Sequence, residues 1–127
     1  MDENGIGSEV VDAAILVHRE LGPGLLESVY EVVLSDELCK RGLKSERQVP
    51  VPIQCRGNCF NEGFRADIVV EGRVILEMKA VEKVHDVHKK QLLTYLKLTG
   101  MRLGFLLNFG EALMKHGITR IVNGLPE

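Results

Sequence analysis

Residues 64–80 read FRADIVVEGRVILEMKA, and the architecture turns on them. Two β-rich runs, 64–70 and 74–80, flank Glu71-Gly72, which predicts a hairpin. Side chains alternate faces along a strand. On the second run Val74, Leu76, Met78 and Ala80 form an apolar set that belongs on the core, while Ile75, Glu77 and Lys79 point the other way. On the first run Ala66, Ile68 and Val70 are the apolar set, and Arg65, Asp67 and Val69 share the opposite face. A two-residue loop, Glu71-Gly72, would pair Val70 with Arg73 and leave Asp67 opposite Leu76, on the wrong face. A three-residue loop, Val70-Glu71-Gly72, sets Gly72 at a left-handed position and puts both apolar sets on one face. The odd loop is therefore expected, with Asp67 on the face of Ile75, Glu77 and Lys79.

Outward from the hairpin, the chain reads as alternating helical and extended segments without repeats or linkers. Upstream, Val49, Val51 and Ile53 alternate with Pro50, Pro52 and Gln54. Proline donates no ladder hydrogen bond, so this is an edge strand or a strand end. A turn is expected at Gly57-Asn58. Two helices precede it. The first follows Ser8 as N-cap, presents Val10, Ala14, Val17 and Leu21 on one face, and stops at Gly22-Pro23-Gly24. The second runs over about 25–41, with Leu26, Tyr30, Leu34 and Leu38 as its apolar ladder and Gly42 just past its end. Downstream, a third helix is expected over about 85–99 and a buried strand over 102–109. A weak turn at 111–115 then leads to a last strand at 118–122.

The chain has 127 residues, of which 45% are hydrophobic, 5% aromatic and 27% charged. That is an ordinary globular composition, one domain over 1–127, with enough surface to bury a core without metal or disulfide staples. Scarce aromatics and no tryptophan argue against a base-stacking platform. A net charge of −2 excludes a whole-surface nucleic-acid footprint, so any such binding rests on a local patch. No apolar run is long enough to span a membrane. The acidic start, MDENGIGSE, has no signal-peptide pattern, and Cys39, Cys55 and Cys59 are an odd count. The expected setting is the reducing cytoplasm. Cys55 and Cys59 lack a second pair at zinc spacing and read as ordinary thiols.

The hairpin carries the chemistry. Asp67 and Glu77 on adjacent strands repel unless a cation lies between them, and oxygen ligands of this kind suit Mg²⁺. Lys79, two residues beyond Glu77, can orient a water or offset charge on a phosphoryl group. The bland alternative is a cross-strand salt bridge between Asp67 or Glu77 and Lys79 or Arg65. In the second helix, Gly24-x-x-Glu27-x-x-Tyr30 places Glu27 in the first turn. There it either favours the helix dipole or, partly buried beside the apolar ladder, needs a cation. In the third helix His88, Gln91 and Tyr95 share one face; the bland alternative is a polar stripe with a half-buried tyrosine. Lys83, Lys89, Lys90 and Lys97 make the same region basic, as a phosphate rim or a solvated face.

On these residues the sequence resembles the GxxExxY protein family, through Gly24-Leu25-Leu26-Glu27-Ser28-Val29-Tyr30 together with HRELGPGLLESVYE, ELCKRGL, ILEMKAVEKV, QLLTYLKLTG and LLNFG. The resemblance runs from the first helix to Ile121-Val122-Asn123. That family is similar to the PD-(D/E)xK, restriction-endonuclease-like, nuclease superfamily. The superfamily pattern falls on Asp67 and on Glu77-Met78-Lys79, and Gln91 and Tyr95 resemble its Q-x-x-x-Y motif. Ala66 stands where proline is usual. The resemblance implies an α/β fold with a four-stranded mixed sheet flanked by helices, in the order α-β-β-β-α-β. It implies a Mg²⁺- or Mn²⁺-dependent nuclease with Glu27, Asp67, Glu77, Lys79, Gln91 and Tyr95 as site residues. Asp67 and Glu77, with the Met78 carbonyl, would ligate metal; Glu27 would hold a second metal or its water. Lys79 would orient the attacking water, Gln91 would position Lys79 or a phosphate, and Tyr95 would support it. The partner is nucleic acid, DNA before RNA, with room for a homodimer and none for a membrane. The alternative is a non-catalytic module that keeps the fold and binds nucleic acid or protein.

Overall fold

The computed structural model describes residues 1–126, apart from the side chain of Glu62. Helices α1 (Glu3–Leu21) and α2 (Glu27–Lys40) come first, then strands β1 (Ser45–Cys55), β2 (Asn58–Val70) and β3 (Val74–Lys79). Helix α3 (Asp86–Thr99) crosses to β4 (Leu103–Asn108), and a short 3-10 turn (Met114–His116) leads to β5 (Ile118–Val122). The sheet order is β1-β2-β3-β4-β5. Strands β3 and β4 are parallel, which is why a helix must connect them. The other neighbours are antiparallel. This is the helix-flanked mixed sheet expected, with β5 added at the edge beyond the four-stranded core. The proline-bearing β1 forms the opposite edge.

Helices α1 and α2 cover one face. Val10, Val17, Tyr30, Leu34 and Leu38 meet Ile68, Val70, Leu76 and Met78 in the larger core. Gly7 lets α1 close on the sheet, since a Cβ there would lie 3.1 Å from the Phe105 ring. The α1 cap is Asp2, whose carboxylate accepts the Gly5 N–H at 2.8 Å, so Ser8 falls inside the helix rather than at its start. Helix α3 covers the other face over a smaller cluster that includes Ile75, Val69, Leu92 and Leu96.

Two features of β2 differ from expectation. The hairpin pairs Val70 with Val74, so its loop is Glu71-Gly72-Arg73 rather than Val70-Glu71-Gly72. Parity is kept, and continuing the register from Ile68↔Leu76 sets Asp67 opposite Glu77 instead of Ile75. The cause is that Glu71 as well as Gly72 is left-handed, at φ 54° and 64°, with Arg73 N–H donating to the Val70 carbonyl at 3.0 Å. The Glu71 conformation is held by Lys44: backbone N–H groups donate in both directions, to the Lys44 carbonyl at 2.8 Å and to the Glu71 carboxylate at 2.7 Å.

Second, the β1–β2 ladder pairs Arg47 with Ile68 and Val49 with Ala66, and the Gln48–Asp67 step between them is missing. Gln48 has φ 52°. The register is the same on both sides of it, but the facing of the residues is not. Arg47 reaches Glu31 of α2, whereas Val49, two residues on, packs with the α3 cluster. Likewise Ala66 belongs to the α3 cluster, not with Ile68 and Val70 as simple alternation predicts.

Candidate functional site

Asp67 and Glu77 come together where the ladder breaks. Asp67 Oδ2 accepts the Met78 N–H at 2.8 Å, which ties the aspartate to the strand that carries Glu77. Glu77 Oε1 is buried and has no hydrogen-bond partner. Burial first, and then the charge of Asp67, push the Glu77 carboxyl up to about 9, with Lys79 pulling the other way. A buried oxygen without a partner is costly, and ionising it beside another carboxylate costs more. A hard divalent cation would relieve both, and the all-oxygen donor set suits one. Among the described residues, however, no three His, Cys, Asp or Glu side chains stand close enough to hold an ion together. The protein offers two carboxylates, with the remaining ligands left to backbone, water or substrate.

Lys79 follows Glu77 on the same face and is half-buried. Its backbone carbonyl is fixed by Phe109 N–H at 2.8 Å. Among the described residues, no ion pair joins Asp67 or Glu77 to Lys79 or Arg65. Arg65 donates instead to the Gln48 carbonyl at 3.1 Å. The salt-bridge alternative for this hairpin is therefore not what the side chains adopt.

Glu27 is the first residue of α2 and is exposed, not half-buried on the ladder as expected. Leu26 is the reason: it is an extended N-cap, 75% exposed, so the apolar face begins only at Tyr30. The Gly24-x-x-Glu27-x-x-Tyr30 motif has a physical account. The chain turns at Gly24 with φ 104°, a value open to glycine. The buried Tyr30 then staples the turn, its hydroxyl donating to the Gly22 carbonyl at 2.6 Å and accepting from Leu25 N–H at 3.1 Å. Its ring stacks on Phe109 at 4.4 Å. The turn so held faces the end of β3, where Pro23, Gly24 and Leu25 line one depression with Ala80, Val81 and Glu82. Glu27 is thus delivered toward the β3 end of the site without reaching the carboxylate pair. Its charge acts on His88 of α3, as does that of Lys79.

On α3, Tyr95 lies face to face with Phe64, ring centroids 3.6 Å apart and planes 4° apart. Burial first, then Glu77 and Asp67, raise its phenol. Gln91 is exposed, on the same helix one turn earlier, and its side chain makes no hydrogen bond among the described residues. His88 caps α3 instead, its Nδ1 accepting the His85 N–H at 3.2 Å. Burial, then the charges of Lys79 and His85, lower its imidazole. Sequence reasoning missed the Tyr30 staple, the Phe64–Tyr95 stack and the Glu31–Arg47–Gln48 group. Tyr30 lay in plain view within its motif. The other two depend on how β2 turns its residues at the ladder break.

Comparison with protein families matches residues 4–121 to the PD-(D/E)XK nuclease superfamily, and the chain belongs to it. Neither the curated proteins nor the solved structures contain a significant match. Among the described residues, no helix is long and apolar enough to cross a membrane.

Proposed function

We propose that the protein is a divalent-metal-dependent nuclease that hydrolyses phosphodiester bonds, with DNA as its substrate before RNA. One observation carries the reading: Glu77 Oε1 is buried without a partner, beside an aspartate held by a backbone N–H of the same strand. Among the described residues, neither the adjacent lysine nor the adjacent arginine forms the ion pair that would neutralise these carboxylates. In this reading Asp67 and Glu77 hold Mg²⁺ or Mn²⁺, and the Met78 carbonyl is a further ligand. The bound ion supplies Lewis-acid charge at the phosphoryl oxygen and makes a coordinated water more acidic.

The chain's own residues do the rest. Lys79 orients the water whose oxygen forms the new bond to phosphorus as the bond to the leaving oxygen breaks. Its ammonium offsets the negative charge that the phosphoryl oxygens gain. Glu27 binds a second ion or the water of the first. Gln91, free to turn toward Lys79 or a phosphate, positions one of them, and Tyr95 closes the cleft from the α3 side, its ring fixed by Phe64. A second reading, a module that binds nucleic acid or protein without cutting, draws on the exposure of Glu27 and on the lack of a third clustered ligand among the described residues. The test is incubation with plasmid, single-stranded DNA and RNA in Mg²⁺ or Mn²⁺. Metal-dependent cleavage, strongest on DNA, is expected; binding without cleavage gives the second reading.

A further inference from the structure

Glu31 follows the motif tyrosine and is only 4% exposed. Burying a carboxylate requires partners, and its partners lie across the gap to β1. Arg47 donates to Oε2 through Nε at 3.0 Å, and a terminal nitrogen of its guanidinium lies 2.9 Å from the same oxygen in an ion pair. The Gln48 side-chain amide donates to Oε1 at 2.7 Å. Gln48 is the left-handed residue of β1, at φ 52°, and the ladder is interrupted between it and Asp67. For a glutamine that conformation is uncommon and has to be held by its surroundings. Glu31 grips the side chains on either side of the Gln48 peptide N–H, and Arg65 holds the Gln48 carbonyl at 3.1 Å. With the ladder broken there, the Asp67 side chain is the group that reaches Met78 N–H.

We infer that Glu31, acting through Arg47 and Gln48, holds open the break in the β1–β2 ladder at which the Asp67 side chain takes the Met78 N–H, and is a positioning residue of the site. The role in metal binding rests on the function proposed above; the role in placing Asp67 does not. A regular β1–β2 pairing would reset the alternation, turning Phe64 and Ala66 away from α3 and leaving Asp67 free to slip from Met78. The two bonds fall on different oxygens of Glu31, and an amide at position 31 turns one of those acceptors into an N–H₂ donor, so one of the two is lost as it stands.

The test compares wild type with Glu31→Gln and Gln48→Asn, all metal-free. Asparagine tolerates the left-handed region but is too short to reach Glu31. Amide hydrogen exchange at Met78 is read against Leu76 in the same strand. Loss of the aspartate's hold should speed Met78 exchange about tenfold in both variants, the loss of one side-chain hydrogen bond, with Leu76 unchanged. Met78 unchanged in both variants, or Met78 and Leu76 accelerating together, overturns the inference. Mn²⁺ titration separates it from the proposed function. Where wild type binds Mn²⁺, both variants should bind about 10–100-fold more weakly, as for other partners that orient a ligand. Wild-type affinity in the variants overturns the metal role. A wild type that does not bind Mn²⁺, with Met78 still responding, leaves Glu31 as the positioning residue and removes the metal reading.

Discussion

The two faces of the sheet are built to different ends. Under α1 and α2 the side chains of β2, β3 and β4 interlock in a continuous apolar layer, with Ile6, Val10, Leu34, Ile68 and Leu76 fully buried. Under α3 the apolar cluster is smaller and gives way to Asp67, Glu77, Lys79 and Tyr95. The difference shows how a small domain can keep a buried, unpartnered carboxylate oxygen: stability comes from one face while the other carries the polar cost. Neighbours on β3 embody the division, because Leu76 faces the first layer and Glu77 the second.

The largest effect expected is on the first face. Leu76→Ala should cost about 2–5 kcal/mol, the range for buried leucine truncations, read by urea unfolding. Glu77→Gln, one residue on, should not destabilise the metal-free protein and should raise its stability at neutral pH, because the folded state no longer has to take up a proton there. If both cost the same, the division of labour is wrong. Next comes metal affinity. Asp67→Ala should weaken Mn²⁺ binding at least about 100-fold in calorimetric titration, because it removes a ligand rather than an outer partner, and the loss of an outer partner alone costs about 10–100-fold. Unaltered affinity would place the metal elsewhere.

The pH dependence is smaller per pH unit and has a definite sign. The Glu77 carboxyl is raised to about 9 in the folded protein. The folded state then binds a proton that the unfolded state has released, across the window from the ordinary glutamate value up to about 9. Metal-free stability should therefore fall as pH rises through that window, by at most about 1.4 kcal/mol per pH unit. Glu77→Gln should flatten the slope, and Mg²⁺ should oppose it most at the alkaline end. Denaturation at a series of pH values checks this; a slope that survives the substitution belongs to another group. Smallest is the aromatic support. Tyr95→Phe keeps the stack and should change stability by less than about 0.5 kcal/mol. Phe64→Ala should lose about 0.5–1.5 kcal/mol beyond its buried area. Equal losses in the two variants would show that the hydroxyl, not the stack, holds α3 there.

Much of this was legible in the sequence because periodicity carries it. The alternation at 74–80 set the face of Glu77 and Lys79, and Pro50 and Pro52 kept β1 at an edge. The register was not legible, since it turns on Glu71, a residue that rarely takes positive φ and does so here only because Lys44 holds it at both ends. The ladder break was hidden for a similar reason: nothing about Gln48 marks it as left-handed until Glu31 is seen beside it. An apolar ladder counted from Leu26 sets Glu27 too deep, because an N-cap lies off the helical face. Local pattern thus picked out the candidate residues, and long-range hydrogen bonds decided how Asp67 and Glu77 sit.

Lys79→Ala against wild type, with plasmid or single-stranded DNA in Mg²⁺ and in Mn²⁺, tests the central claim most directly. Lys79 makes no ion pair among the described residues, so its loss should leave the fold and Mn²⁺ affinity near wild type. Cleavage should fall by about 10²–10³, the usual loss for one group that stabilises transition-state charge. Equal cleavage by both proteins, or none by the wild type with either metal, would contradict the account.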